Sequence, residues 1–253
     1  MGGRPANLVV VPAYNESATL LDVLGRISAS APGWDIVVID DGSTDNTADL
    51  ARGSGFAVLK LPFNLGIGGA VQAGFKYALE NGYARMVQID GDGQHDPSQL
   101  ERLVAVMDEN EGVDVVCGSR FLSDEFEYPA PISRRTGIHI FAFLLSRLVG
   151  QPVSDPTSGF RLYNRRAIKL FARDYPHDYP EVEAVLMLHH HDLRMLEVPV
   201  QMYVRGGGVS SITSGKSVYY MVKVLLALFV GLFRRKPVPD EGDAAPVRAK
   251  MGI

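Results

Sequence analysis

The chain of 253 residues has one cysteine, one tryptophan, little net charge and no unbroken apolar run of the length that crosses a bilayer. The lone Cys117 excludes an internal disulfide, and its place in the apolar run 113–117 marks it as a buried structural thiol of a reducing compartment. Twenty-five basic residues against 29 acidic ones leave a formal charge of −4. That balance offers no general attraction to nucleic acid, so no nucleic-acid partner is expected. No apolar segment precedes the first strand signal, which argues against a cleaved secretory leader and for a folded part that stays in the cytosol. What is present is globular: 46% hydrophobic and 21% charged residues exclude disorder or a fibrous architecture for most of the length. The length suits one large core better than two.

Short β-branched runs at residues 8–11, 36–39, 58–61, 86–89 and 113–117 alternate with helical spacing over 17–30, 44–52, 68–81 and 97–109. This alternation predicts an α/β sheet. Ser43 or Asp45, and Asp96 followed by Pro97, supply helix-start chemistry. Beyond residue 118 the pattern predicts helices over 133–149, 165–172 and 181–191 and a late strand over 195–204. Acidic and glycine clusters follow the first, second and fourth strands, so they should meet at the carboxyl ends of the strands, where open α/β sheets bind ligands.

The sharpest cluster is Asp90-Gly91-Asp92-Gly93-Gln94, directly after the fourth strand. Alternate residues at a strand end point the same way, and the glycines admit a ligand close to the backbone. Two carboxylates so placed suit Mg2+ or Mn2+ shared with phosphate oxygens, and the alternative is a polar turn capped by its own aspartates. The pair Asp40-Asp41 runs into Gly42-Ser43-Thr44-Asp45, with carboxylates able to accept from base or ribose donors or to cap the next helix. Pro12-Ala13-Tyr14-Asn15-Glu16 ends the first strand, where Tyr14 can lie against a base and Glu16 can bond a ring or ribose group, or the segment is simply a turn into a helix. Gly66, Gly68 and Gly69 open a helix without forming a P-loop or a dinucleotide fingerprint, and either offer N–H groups to phosphate or allow close packing. His189, His190 and His191 project about 100° apart on a helix and should not form a compact metal site.

Taken in order, the Pro12, Asp40, Asn64-Leu65-Gly66-Ile67-Gly68 and Asp90 segments resemble glycosyltransferase family 2. The resemblance implies a GT-A-type α/β fold, a Rossmann-like mixed sheet flanked by helices, and inverting sugar transfer. It places Pro12, Tyr14, Glu16 and Asp41 around the nucleotide and Asp90, Asp92 and Gln94 at the metal and diphosphate, with Asp92 also essential to catalysis. The second half resembles the polyprenol-phosphate branch of the family through Gly118-Ser119-Arg120-Phe121, Ser133-Arg134-Arg135, Asp155-Pro156-Thr157-Ser158-Gly159-Phe160 and Val198-Pro199-Val200 leading to Arg205 and Ser210-Ser211. That branch implies a polyprenyl-phosphate acceptor, with Arg120, Arg134 (or Arg135) and Arg205 serving phosphates. Asp155 would orient the sugar or an arginine, and Glu183 would become a base only for a hydroxyl acceptor.

Two segments bear on membranes. Residues 138–149 are apolar nearly all round but too few to span a bilayer. Residues 217–233 lie at the lower limit, include Lys223 and end in Arg234-Arg235-Lys236, which favours a helix lying flat at the interface. The expected organisation is a GT-A domain over 1–216, a membrane-interface helix over 217–236 and a disordered tail over 237–253. The expected activity is a Mg2+- or Mn2+-dependent transfer from a UDP- or GDP-sugar to a polyprenyl phosphate at the cytosolic membrane surface, peripheral or monotopic. Transfer to a saccharide hydroxyl, and an inactive nucleotide-sugar-binding protein, are the alternatives.

Overall fold

A computed structural model describes residues 7–123, 126 and 132–203, with only the backbone for 132–134. Arg205, the 217–236 segment and the 237–253 tail lie outside these described residues. The order of elements is β1 (Asn7–Ala13), α1 (Leu20–Ser30), β2 (Asp35–Asp40), α2 (Thr47–Gly53), β3 (Ala57–Lys60), α3 (Gly66–Glu80), β4 (Arg85–Gln88), α4 (Leu100–Glu109), β5 (Val115–Ser119), α5 (Ile132–Val149), β6 (Arg161–Asn164), α6 (Arg165–Arg173), α7 (Pro180–His190) and β7 (Met195–Pro199).

The strands form one mixed sheet in the order β3-β2-β1-β4-β6-β5-β7. The β1 strand pairs in parallel with both β2 and β4, whereas β6 runs antiparallel to β4 and β5. Apolar residues fill both faces of the central strands because helices cover both sides. Leu8 and Val10 join Phe75, Phe171 and Tyr175 in one core layer, while Val9 and Val11 join Leu24, Ile27 and Leu103 in the other. Chain order reverses at β1, so a crevice opens beyond the carboxyl ends of β1 and β4. The expected ligand edge therefore falls at that switch point.

Two expectations change. The fourth strand stops at Gln88, so Asp90 and Asp92 sit in a turn and the alternation of a strand does not orient them. The β6 strand was not predicted: four residues, Arg161-Leu162-Tyr163-Asn164, carry too short a pattern, and its place between β4 and β5 comes from tertiary pairing. The helix predicted over 97–109 begins as a short 3-10 turn, Pro97–Gln99, whose preceding Asp96 accepts the Ser98 N–H.

Candidate active site

Two loops at the switch point are stitched together by the motif residues themselves. After β1 the backbone turns through Asn15 at φ 55°, a conformation asparagine tolerates better than most residues. The Asn15 N–H donates to Ser43 Oγ (3.0 Å), its Oδ1 accepts the Thr44 N–H (2.9 Å), and the Glu16 N–H donates to Thr47 Oγ1 (2.9 Å). Asp45 Oδ1 accepts the Thr47 N–H at the start of α2, so Asp45 supplies the helix-start bond and Ser43 serves the neighbouring loop. Gly42 adopts φ +69° and lies so close to the loop after β3 that a Cβ would stand 2.7 Å from the Phe63 carbonyl carbon.

Of the four residues assigned to the nucleotide, Tyr14 is exposed at the rim, Glu16 is partly buried, and Pro12 is buried beneath the next loop. The Pro12 carbonyl accepts the Gly91 N–H at 3.2 Å. Asp41 is partly committed elsewhere. Its two oxygens accept the Leu65 and Gly66 N–H groups at 2.7 and 2.9 Å, anchoring the turn into α3. Burial raises its pKa and the two backbone bonds oppose that shift. Asp40 is fully buried at the end of β2 with no hydrogen-bond partner on either carboxylate oxygen. No sequence pattern separates these two aspartates, which burial and the turn into α3 treat differently.

The turn after β4 carries Asp90, Asp92 and Gln94. Asp90, about a third exposed, accepts a bond from Gln88 Nε2 at 2.9 Å, and Asp92 Oδ1 accepts the Gln94 N–H at 3.0 Å. Thr19 Oγ1 donates to the Gly91 carbonyl, tying the turn to the start of α1. Among the described residues no three or more His, Cys, Asp or Glu side chains are grouped to hold a metal. The donor set is instead two carboxylates on one short turn, which fits a hard divalent cation completed by phosphate and water oxygens.

On the other side of the turn, β5 is followed directly by Arg120, whose guanidinium forks onto Asp155: Nε to Oδ2 at 2.7 Å and Nη2 to Oδ1 at 2.8 Å. Nη2 also donates to Thr157 Oγ1 at 2.7 Å. Burial works against the charge on Asp155, but Arg120 outweighs it and holds the carboxyl below its ordinary 3.8. Asp155 thus takes the Nε/Nη2 edge of the guanidinium that the sequence reading directs at a substrate phosphate. Asp155 orients an arginine. Arg134 begins α5, and its side chain lies outside the described residues, as does all of Arg205. Arg135 is exposed on α5.

The fully buried Arg161 braces this side, donating from Nη2 to the Pro156 and Glu181 carbonyls at 3.1 and 2.9 Å. It thereby joins the 155–159 loop to the start of α7. Glu181 has its pKa raised by burial first, with the Asp90 charge adding and Arg161 and Arg120 opposing. Glu181, two residues before the expected Glu183, is therefore an α7 carboxylate that feels the Asp90 turn and the arginine cluster. Sequence reasoning passed over Glu181, Arg161 and the buried His95. His95 alone carried a local signal, since it follows the acidic motif directly. His189, His190 and His191 lie at the far end of α7.

Comparison with known proteins agrees with this geometry. The family described as Glycosyl transferase family 2 matches residues 8–171. The polyprenol monophosphomannose synthase of Mycolicibacterium smegmatis is 32% identical over 227 residues, covering 86% of this chain and 84% of that protein. The undecaprenyl-phosphate mannosyltransferase of Micrococcus luteus is 32% identical over 216 residues, covering 82% and 88%. In fold, the glucosyl-3-phosphoglycerate synthase of Mycobacterium tuberculosis, in complex with Mn2+, UDP and glucosyl-3-phosphoglycerate, superposes with a TM-score of 0.68 at 21% identity, over 94% of this chain and 82% of that one. The mixed sheet with its ligand edge at the β1/β4 switch point is thus of the GT-A type, and the chain belongs to glycosyltransferase family 2.

Proposed function

We propose that the protein is a metal-dependent transferase that moves a sugar from a UDP- or GDP-sugar to a polyprenyl phosphate. The observation that carries this reading is the two-carboxylate turn at the switch point, set beside the buried Arg120–Asp155 pair, in a chain whose relatives are named for polyprenyl-phosphate acceptors. Asp90 and Asp92 would hold Mg2+ or Mn2+, with Gln94 beside them. The cation, when bound, offsets charge on the leaving diphosphate. Tyr14 and Glu16 line the nucleoside side above the buried Pro12, and Asp41, whose oxygens each accept one backbone N–H, keeps acceptor positions for base or ribose donors. A phosphate oxygen is already ionised at neutral pH and needs no strong base, so the acceptor side has to orient it. Arg120, fixed on Asp155, forms the rigid part of that side, and the resemblance assigns phosphate contact to Arg120, to one of Arg134 and Arg135, and to Arg205.

The acceptor reading also calls for a membrane surface, at the cytosolic face. The outer stripe of α5 supports it: Ile140 and Phe143 are exposed, Phe143 at 60%, between the exposed Arg135 and Arg147. The Arg147 guanidinium lies 5.3 Å from the Phe143 ring centroid, and the helix contains no acidic residue. An apolar stripe flanked by cations suits an anionic lipid interface. Among the described residues no helix is long and apolar enough to cross a membrane.

Turnover of UDP- and GDP-sugars with a short polyprenyl phosphate, and with the matching alcohol, tests the proposal. The phosphate should be glycosylated and the alcohol should not. Asp92→Asn should lower turnover by about a hundredfold or more without unfolding the protein. Equal use of alcohol and phosphate, or full activity in chelator, would overturn it. Glu181 favours a second reading, a hydroxyl acceptor, because a carboxylate with a raised pKa near Asp90 is suited to take a proton. Under that reading Glu181→Gln abolishes turnover of the hydroxyl substrate.

A further inference from the structure

The two carboxylates flanking the reaction centre are held by opposite means. Asp155 is locked by a guanidinium, which offsets its charge. Asp90 is held by neutral groups. Gln88, itself 1% exposed, donates its Nε2 to Asp90 Oδ1 at 2.9 Å. His95, 5% exposed, accepts the Asp90 N–H on Nδ1 at 3.0 Å, which leaves the proton of the neutral ring on Nε2, 3.8 Å from Asp90 Oδ2. The imidazole is stacked on Phe160, with centroids 5.2 Å apart and planes 18° apart. Gly159 closes the cluster: a Cβ there would stand 2.9 Å from Gln88 Nε2, 3.4 Å from Asp90 Oδ2 and 3.6 Å from His95 Cε1.

We propose that Gln88 and His95 are positioning residues that fix the Asp90 carboxylate and its backbone for a divalent cation bound with a nucleoside diphosphate. This rests on the reading of Asp90 and Asp92 as the cation's ligands. Neutral holders suit that task. The amide restricts the rotation of the carboxylate and the imidazole holds the backbone it hangs from, neither cancelling its negative charge, so electrostatic attraction for the cation is kept while the entropy of ordering the ligand is lost beforehand. A guanidinium in the same place would order the side chain equally well and remove the attraction. The Phe160 stack and the closeness of Gly159 keep the ring from rotating away. His95 also pairs in an antiparallel bridge with Met202, and the Tyr203 N–H donates to the Gln94 carbonyl at 2.8 Å, so the turn is held from outside as well.

The test is Mn2+ binding, measured by titration calorimetry of the full chain in the presence of UDP and, in a parallel series, of GDP. Gln88→Met keeps the length of the side chain and removes its donor. His95→Phe keeps the stack on Phe160 and removes both nitrogens. Each should weaken Mn2+ binding about tenfold or more, the range typical of outer partners of metal ligands. Affinity for the nucleotide in chelator should stay as in the parent, and turnover at saturating Mn2+ should recover most of the loss. A role in stability alone would leave Mn2+ affinity unmoved. If His95→Phe does not fold, His95→Gln removes the ring's Nδ1 acceptor in a polar side chain and takes its place. Asp90→Asn and Asp92→Asn separate the two claims. If these two leave Mn2+ binding intact, the metal reading itself fails. If they abolish it while Gln88→Met and His95→Phe or His95→Gln bind Mn2+ as the parent does, the positioning roles are overturned.

Discussion

At the residue scale, the Arg120–Asp155 pair shows how burial turns a single side chain into a structural commitment. A buried ion pair gains little over apolar packing, but removing one partner strands the other charge at a cost of about 3–5 kcal/mol. Arg120→Ala should therefore lower stability by that order, read from denaturant midpoints at pH 7. The pH dependence should also reverse. In the parent, Asp155 is held below 3.8, so its contribution is complete above that pH and is lost as pH falls through the folded value. Without the guanidinium, burial is opposed only by the residue-120 N–H and the Thr157 hydroxyl, so the pKa of the carboxyl should rise and the variant should lose stability as pH rises from about 4 to 7. A parallel pair of stability curves would refute the account. Cys117 behaves as its sequence context implied: fully buried, its thiol is pushed up to about 12 and stays protonated.

At the scale of elements, α3 is set by close approach at its start and at its middle. Gly74 rests against Val10 of β1, where a Cβ would come within 2.5 Å of Cγ1. At the helix start, a Cβ on Gly68 would stand 2.4 Å from the Pro176 carbonyl oxygen and 2.7 Å from the His177 Cα, both backbone atoms. Packing thus explains Gly68 and Gly74, whereas Gly66, with nothing within 4 Å of its Cβ position, is called for by its φ of +79°. Gly68→Ala should cost about 1–3 kcal/mol through forced separation of α3 from the segment before α7. Gly25, exposed in the middle of α1 with nothing within 4 Å of its Cβ position, supplies the contrast. Gly25→Ala should gain roughly 0.5–1 kcal/mol from helix propensity. Opposite signs from one substitution type, measured by thermal unfolding, would confirm that space decides the outcome.

At the scale of the molecule, the proposed polyprenyl-phosphate acceptor requires the switch-point edge, the α5 stripe and the chain beyond Tyr203 to work on one substrate. Phe143→Asp places a charge in the centre of the apolar stripe. Burying such a ring is worth about 1.5–3 kcal/mol, so binding to anionic vesicles should weaken by roughly tenfold or more. Turnover of a short, soluble acceptor should not change. Unaltered vesicle binding would shift the anchoring role to residues 217–233, where truncation before Ser217 would then release the protein from membranes.

The order of strands and helices was legible because parallel strands covered on both faces need unbroken apolar runs, and because helices between them keep a 3.6-residue period. The acidic and glycine motifs were legible for a related reason: they are contiguous, and each ends a strand. Their partners were not. Which of Asp40 and Asp41 anchors the turn into α3, and that Asp155 closes on Arg120, depend on segments 24 to 35 residues apart being brought within hydrogen-bonding distance, whereas the hold of Gln88 and His95 on Asp90 depends on the shape of one short turn that no local pattern announces. The β6 strand was hidden for the same reason, since four residues have too little pattern to announce a strand that exists only because β4 and β5 flank it. Local sequence determined the elements and the kind of chemistry at their ends. Tertiary structure decided which charges are already spent on one another and which remain directed at a ligand, because that choice is made by burial and by contacts remote in the chain.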